Sequence, residues 1–334
     1  MRSRGSVDVS LGLAAAAFAV AVAGTGCRPD FAPYNRVTGL RVLAIQSEPA
    51  APTTGETATF SALVVTPSTE PAPAIAYHWS WCPFAGNASD GYRCPIEKPV
   101  IDGILEKIPL PPLPSYDLGD APTASFVNDI SPDAFKAVCA GGLPGLPSEF
   151  KVDCTAGFPI QLMLTVTTDT DTLTAVQTVK LRFDPAMPAN LNPTIDGLQA
   201  ILAGVPTAIP DGATDAAGLP VEPVTLPRDV ETPLRVSMAE TNAEVYAGFD
   251  DNELPATLTE RLFLTWFVES GDTNDPRTSF YSGSTAFADL LKNGWTPALV
   301  KDYPPATARI YVVAHDNRGG VSWRAGTVDL GAAL

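Results

Sequence analysis

The sequence predicts an all-β protein built from two tandem antiparallel β-sandwiches with short helical insertions. Three observations carry that expectation. The 334 residues include 33 Pro and 26 Gly against 17% charged residues, and proline, which lacks an amide donor and fixes φ, disfavours long helices. Several segments alternate apolar and polar residues with the period-two signature of a half-buried strand. A Trp-centred strand followed by a closing hairpin occurs in each half of the chain. At about 100 to 200 residues per domain, the length suggests two cores.

Taken in order, the chain opens with Arg2 and Arg4, then the apolar run Leu11–Ala23, then Gly24, Thr25 and Gly26. This is the layout of a cleaved signal peptide, and the run falls short of the roughly 20 residues a membrane-spanning helix needs. Residues 1–26 are therefore expected to be removed. Gly24-Thr25-Gly26-Cys27 resembles the processing box of bacterial lipoproteins, with Gly24 standing where that family usually has an aliphatic residue. The resemblance implies a lipid on Cys27, a membrane partner through that lipid, and residues 27–36 as a tether. Arg28 follows the cysteine in place of the Asp that resembles an inner-membrane retention signal, which implies the outer membrane. The alternative cut, by ordinary signal peptidase, follows Ala21 or Ala23.

The chain has five cysteines. Assigning Cys27 to lipid leaves Cys82, Cys94, Cys139 and Cys154, an even set suited to an oxidising compartment. Three connectivities are possible. Pairing of sequence neighbours, Cys82 with Cys94 and Cys139 with Cys154, is expected, each bridge adding roughly 3 kcal/mol. No Cys-x-x-Cys pair offers two zinc ligands from one turn.

In the first domain, residues 37–184, Ile75, Tyr77, Trp79 and Trp81 share one strand face, as do Ile160, Leu162, Leu164 and Val166 on a second strand and Val179, Leu181 and Phe183 on a third. Thr167–Thr172 is the turn between the last two. A Pro-rich insertion, Pro99–Pro122, precedes a short helix with Ser131 as N-cap and Pro132 in its first turn. Residues 185–193 are Pro- and Asn-rich without periodicity and read as a linker. The second domain, residues 194–334, is expected to open with the strand bearing Leu234, Val236 and Met238. The Trp266 strand, Arg261–Glu269, follows, then a short helix after Thr285 ending near Gly294. A final hairpin turns at Asn317-Arg318-Gly319-Gly320.

LTWFVESGD (Leu264–Asp272) is similar to the Trp-bearing strand and turn of PKD modules, and VVAHDNRGGVS (Val312–Ser322) to their last hairpin. YHWSWC (Tyr77–Cys82) is the counterpart in the first domain. The resemblance implies immunoglobulin-like or PKD-like sandwiches and points to fold class more than to family.

Net charge is -16, and without residues 1–26 the balance is 19 basic to 36 acidic. A field of that sign repels phosphate backbones, so nucleic acid is not an expected partner. His78 and His315 lack metal-ligand spacing, and neither a Gly-x-Ser-x-Gly elbow nor a Gly-rich phosphate loop occurs. No cofactor is expected. Asp250, Asp251 and Glu253, with Asp272 and Asp275, bunch oxygen ligands in loops and are weak calcium candidates that miss the spaced calcium-loop motif. Trp79, Trp81 and Trp266 are read as core. Phe263 and Phe267 lie on the face of their strand opposite Trp266, so that strand is apolar on both sides. A helix, the neighbouring domain or a partner must cover the second face.

Three function classes follow. The expected one is a non-catalytic lipid-anchored envelope protein that binds a protein or glycan through sandwich loops or edges. The alternatives are a carbohydrate-active enzyme with a fold-assembled carboxylate pair and a structural spacer.

Overall fold

The computed structural model describes residues 33–333 apart from 69–71, 108–109, 141–151, 153, 213–220, 250–251 and 253. The signal peptide, Cys27, and the calcium candidates Asp250, Asp251 and Glu253 lie outside the described residues. Tyr34 onward forms one compact unit, and its architecture is all-β: two β-sandwiches in which the pairings between the described strands, with one exception, are antiparallel.

The first sandwich contains β1 (Arg41–Glu48), β2 (Thr57–Val65), β3 (Ala76–Cys82), β4 (Asp117–Gly119), β5 (Ala124–Val127), β6 (Phe158–Thr167) and β7 (Thr172–Leu181). They form a three-stranded sheet, β1-β2-β5, and a four-stranded sheet, β4-β3-β6-β7. Between them Phe60, Trp79, Trp81, Leu162, Leu164 and Leu181 are fully buried. The period-two faces of β3, β6 and β7 thus point inward, and the indole N–H groups of Trp79 and Trp81 are satisfied by the carbonyls of Ala121 and Ser115 at 3.0 and 2.6 Å.

Two helices close this core. The Pro-rich insertion holds α1 (Lys98–Lys107), which buries Ile101, Ile104 and Leu105. The sequence indicates only a Pro-rich insertion here; Pro99 sits in the first turn of the helix, where a missing amide costs nothing. In α2 (Pro132–Cys139) the Ser131 hydroxyl accepts the Asp133 N–H at 3.3 Å and Pro132 opens the helix, as the sequence predicts.

The second sandwich contains β8 (Gly197–Leu202), β9 (Val205–Ala208), β10 (Val224–Arg228), β11 (Thr232–Ser237), β12 (Val245–Phe249), β13 (Pro255–Thr259), β14 (Leu262–Val268), β15 (Asp272–Thr273), β16 (Arg277–Phe280), β17 (Lys292–Thr296), β18 (Thr307–Asp316) and β19 (Val321–Ala333). Its sheets are β10-β19-β18-β14-β16 and β15-β17-β11-β8-β9, with β12-β13 a separate hairpin. The exception to antiparallel pairing is β10 with β19.

Two sequence expectations are corrected here. The strand bearing Leu234 and Val236 is not the opening strand; β8 precedes it and pairs with it, setting Leu234 opposite Ala200. The helix after Thr285 is a single turn, α3 (Phe287–Leu290), and Gly294 lies inside β17 rather than capping a helix. A Cβ at Gly294 would collide with the side chains of Asn274 and Glu231, so a close approach, not a helix end, selects glycine there.

The two sandwiches share a third apolar cluster. Phe267, Tyr311, Val313 and Val321 pack against Val37, Ala44 and Val65. The β14-β18-β19 region is therefore buried on both faces, one turned to its own core through Leu264, Trp266 and Val312 and one to the first sandwich. Polar groups pin the rim. Glu269, itself buried, takes the Ser68 amide and hydroxyl at 3.1 and 2.6 Å. Asn192 donates to the Ser47 carbonyl and the Glu48 carboxylate at 2.8 and 2.7 Å and accepts the Val321 N–H at 2.9 Å, strapping the 185–193 segment to both sandwiches.

Residues 34–36, expected in the tether, are docked rather than free. Asn35 and Val37 exchange backbone bonds with Val268 at 3.0 and 2.9 Å. Arg36 pairs with Asp272 at 2.5 Å.

Candidate functional site

The feature of the second sandwich that its own sheets do not absorb is the β12–β13 hairpin. It pairs with no other described strand, and it leaves Val245, Phe249 and Leu254 exposed. Exposed large apolar side chains on an element outside both sheets are candidates for a contact surface.

What holds the hairpin is charge. Glu244 precedes β12 and Glu260 follows β13, and both carboxylates reach one guanidinium, that of Arg318, at 3.6 and 3.0 Å. Arg318 also donates to the carbonyls of Pro188, at 3.1 Å, and Ala189, and lies over the Tyr246 ring at 4.5 Å. Glu244 accepts the Leu191 N–H at 3.1 Å. Asp316 completes the cluster, accepting the amides of Arg318, Gly319 and Gly320 at 2.7, 2.7 and 2.8 Å and the Asn190 amide group at 3.2 Å. One residue of the β18–β19 turn therefore fixes both feet of the hairpin and the strap beside it.

Burial sets the electrostatics. Glu260 is 0% and Arg318 7% exposed. Desolvation, reinforced by the Asp316 charge, pushes the Glu260 carboxyl up to about 7 against the pull of Arg318. A buried pair of this kind is costly to break, because removing one partner strands the other charge.

Between the hairpin and the β16 end lies a groove of ≈ 530 Å³ whose walls include Phe249, Thr257, Thr259, Arg261, Tyr281 and Asn317. Arg261 covers one ring, Tyr281, at 4.2 Å. A larger shallow groove, ≈ 880 Å³, crosses the outer face of the first sandwich, lined by Ser80, Ser89, Asp90, Arg93, Met163 and Thr165. It offers no aromatic platform.

The residues singled out in the sequence are placed as follows. The bridges are Cys82–Cys94 and Cys139–Cys154, with Cα separations of 5.5 and 5.8 Å. Phe267 is covered by the first sandwich. Phe263 is stacked on His315 with ring centroids 4.9 Å apart, and Arg277 lies over it at 4.9 Å. Neither the single turn α3 nor an external partner is needed to cover Phe267. Burial, with the nearby Arg277 charge, pushes His315 down to about 4, so it is neutral at pH 7. His78 faces Asp120 on the surface at 2.8 Å. Asp272 is taken by Arg36, while the backbone of Asp275 is bonded to the Asn293 side chain. Trp79, Trp81 and Trp266 are core, as expected.

Among the described residues no group of three His, Cys, Asp or Glu is placed to hold a metal, and no helix is long and apolar enough to cross a membrane. Sequence reasoning missed the Arg318 cluster. The available signal was Glu260 and Arg318 flanking strands already assigned, without any indication that the two strand ends meet.

No family model matches the chain, and no curated protein matches it. Among solved structures it is similar to Escherichia coli alpha-2-macroglobulin activated by porcine elastase, at 10% identity and TM-score 0.20 over 91% of this chain and 23% of that one. It is also similar to red sea bream transglutaminase, at 11% identity and TM-score 0.24 over 89% and 32%. The N-terminal Ig1-2 module of the Drosophila receptor protein tyrosine phosphatase DLAR aligns at 9% identity and TM-score 0.22 over 89% and 100%. The chain spans less than a third of the first two. Superpositions this loose carry no functional argument, and the sandwich architecture rests on the strand pairing above.

Proposed function

We propose that this is a non-catalytic cell-envelope lipoprotein, anchored at the outer membrane through Cys27, that presents the β12–β13 hairpin of its second sandwich to an envelope protein or glycan. The observation carrying the binding role is the hairpin itself, with apolar side chains exposed on an element whose feet are locked by Arg318. A preorganised surface loses less entropy on association. The non-catalytic reading is supported by the state of the perturbed carboxylate, Glu260, which is sealed from solvent and salt-bridged rather than set in a cleft.

The anchor rests on the Gly24-Thr25-Gly26-Cys27 box and on the four other cysteines closing two bridges. Six residues lie between Cys27 and Tyr34, and the seven residue steps span at most about 25 Å of extended chain.

Intact mass of the membrane-extracted protein, with and without reduction, tests the anchor; a chain beginning at Val22 or Gly24 without acyl groups would overturn it. For the binding surface, the mature chain carrying Cys27→Ser is incubated with isolated envelopes. Val245→Ser with Phe249→Ser should abolish retention at unchanged melting temperature, and undiminished retention would sink the hairpin reading.

A further inference from the structure

We infer that the groove between the β12–β13 hairpin and Tyr281 is a binding site for a neutral saccharide chain, an inference that rests on the hairpin end being the binding surface.

The lining has the two components that sugar recognition uses. One is flat apolar area: Phe249 and Tyr281 stand at the groove with 52% and 43% of their surface exposed. The C–H face of a pyranose is the apolar face of an otherwise polar ring, and it packs on an aromatic plane as another apolar group would. The other is a set of polar groups, most of them without a side-chain hydrogen-bond partner among the described residues. The hydroxyls of Thr257, Thr259 and Ser282 line the groove and make no side-chain hydrogen bond to another described residue. Arg261, stacked on Tyr281, forms no ion pair among the described residues, so its planar fork can serve two neighbouring hydroxyl oxygens at once. Asn317 is the committed member, accepting the Arg261 N–H at 2.8 Å and donating to the Tyr246 hydroxyl at 3.5 Å.

The composition of the walls separates this ligand from a protein. Protein anchors fill desolvated apolar pockets, whereas here hydroxyl, amide and guanidinium groups outnumber the one aliphatic side chain, Leu258, around the rings of Phe249, Tyr281 and Tyr246. The volume, ≈ 530 Å³, falls within the roughly 300–1,000 Å³ of small-ligand sites. The chain's net charge of -16 opposes a polyanion and leaves a neutral ligand indifferent. One wall of the groove is held from behind. Tyr246, at the groove's edge, is clamped by Arg318 on the ring face and packs beside Gly248, where a Cβ would meet both Tyr246 and Leu258. Binding then need not order Tyr246.

The test is calorimetric titration of the mature chain carrying Cys27→Ser against neutral gluco-, manno- and galacto-configured oligosaccharides, polyuronates and extended peptides. At least one neutral oligosaccharide should bind with little salt dependence. Phe249→Ala and Tyr281→Ala should each weaken it tenfold or more, and Thr257→Val severalfold, with melting unchanged. Binding by no neutral oligosaccharide, binding confined to polyuronates or peptides, or binding that survives the Phe249→Ala/Tyr281→Ala double variant would overturn the inference. If sugar binding fails while hairpin variants still lose retention on envelopes, the saccharide falls and the hairpin surface stands. If both fail, both fall.

Discussion

The two sandwiches have similar cores and secure their loops by opposite means. The first uses covalent staples and helices: Cys82–Cys94 closes the loop after β3, Cys139–Cys154 ties the end of α2 to the start of β6, and α1 plugs the open end. The second has no cysteine and buries charge instead. Arg318 holds Glu244 and Glu260. Arg228, 2% exposed, ties the C-terminal strand to the 298–305 loop through the carbonyls of Gly331, Ala298, Tyr303 and Pro305, at 3.2, 3.1, 2.8 and 2.5 Å. A disulfide acts mainly on the unfolded chain and is indifferent to mild pH change; a buried ion network acts on the folded state and responds to protons.

Breaking the electrostatic side should have the largest effect. Arg318→Ala strands Glu260 and should cost about 3–5 kcal/mol, read as a lower melting temperature together with faster amide exchange through β12 and β13. Adding Glu260→Gln to that variant should recover part of the loss. Next comes the shared cluster: Phe267→Ala removes a buried ring and should cost about 3 kcal/mol. It should also split one calorimetric transition into two, because it weakens the coupling between the sandwiches. Cys82→Ser with Cys94→Ser should cost about 2–3 kcal/mol and move the first-sandwich transition, leaving exchange at the Arg318 cluster unchanged.

The smallest effect is the one that separates the two strategies by pH. Glu260, raised to about 7 from a usual 4.5, contributes stability that is present below about 4.5 and lost as pH rises through 7. His315, lowered to about 4, contributes stability present above its usual 6.5 and lost as pH falls through 4. Glu260→Gln leaves Arg318 with Glu244 as its carboxylate partner and removes the titration, so the variant's melting temperature relative to the parent should rise between pH 4 and pH 8, by on the order of 3 °C per kcal/mol recovered. Melting profiles of the two proteins that run parallel across this range would show that Glu260 does not titrate as described.

What the sequence conveyed well was anything local. The β18–β19 turn, the Ser131 cap and the two-sided apolar pattern of β14 each depend on neighbours a few residues apart, and each is found in the structure. The Phe263 and Phe267 pattern even announced that a second layer must exist, though not whether helix, domain or partner supplied it. What was lost is long-range or masked by composition. Glu260 and Arg318 are 58 residues apart and meet because β14 and β18 pair in register, which no spacing rule reports. The β12–β13 hairpin escaped because its exposed and half-buried positions alternate without a polar-apolar contrast. α1 escaped because it lies in the Pro-rich insertion, where no helical period was read.

The apolar cluster joining the sandwiches makes the pair indivisible in practice. Cutting the chain in the 185–193 strap would leave each half with a bare sheet face, Ala44 and Val65 on one, Phe267, Tyr311 and Val313 on the other. Such faces drive aggregation of the separated pieces. Proteolysis at the strap should therefore leave both fragments in one particle until denaturant is added, and neither half is a cassette that recombination could lend to another gene.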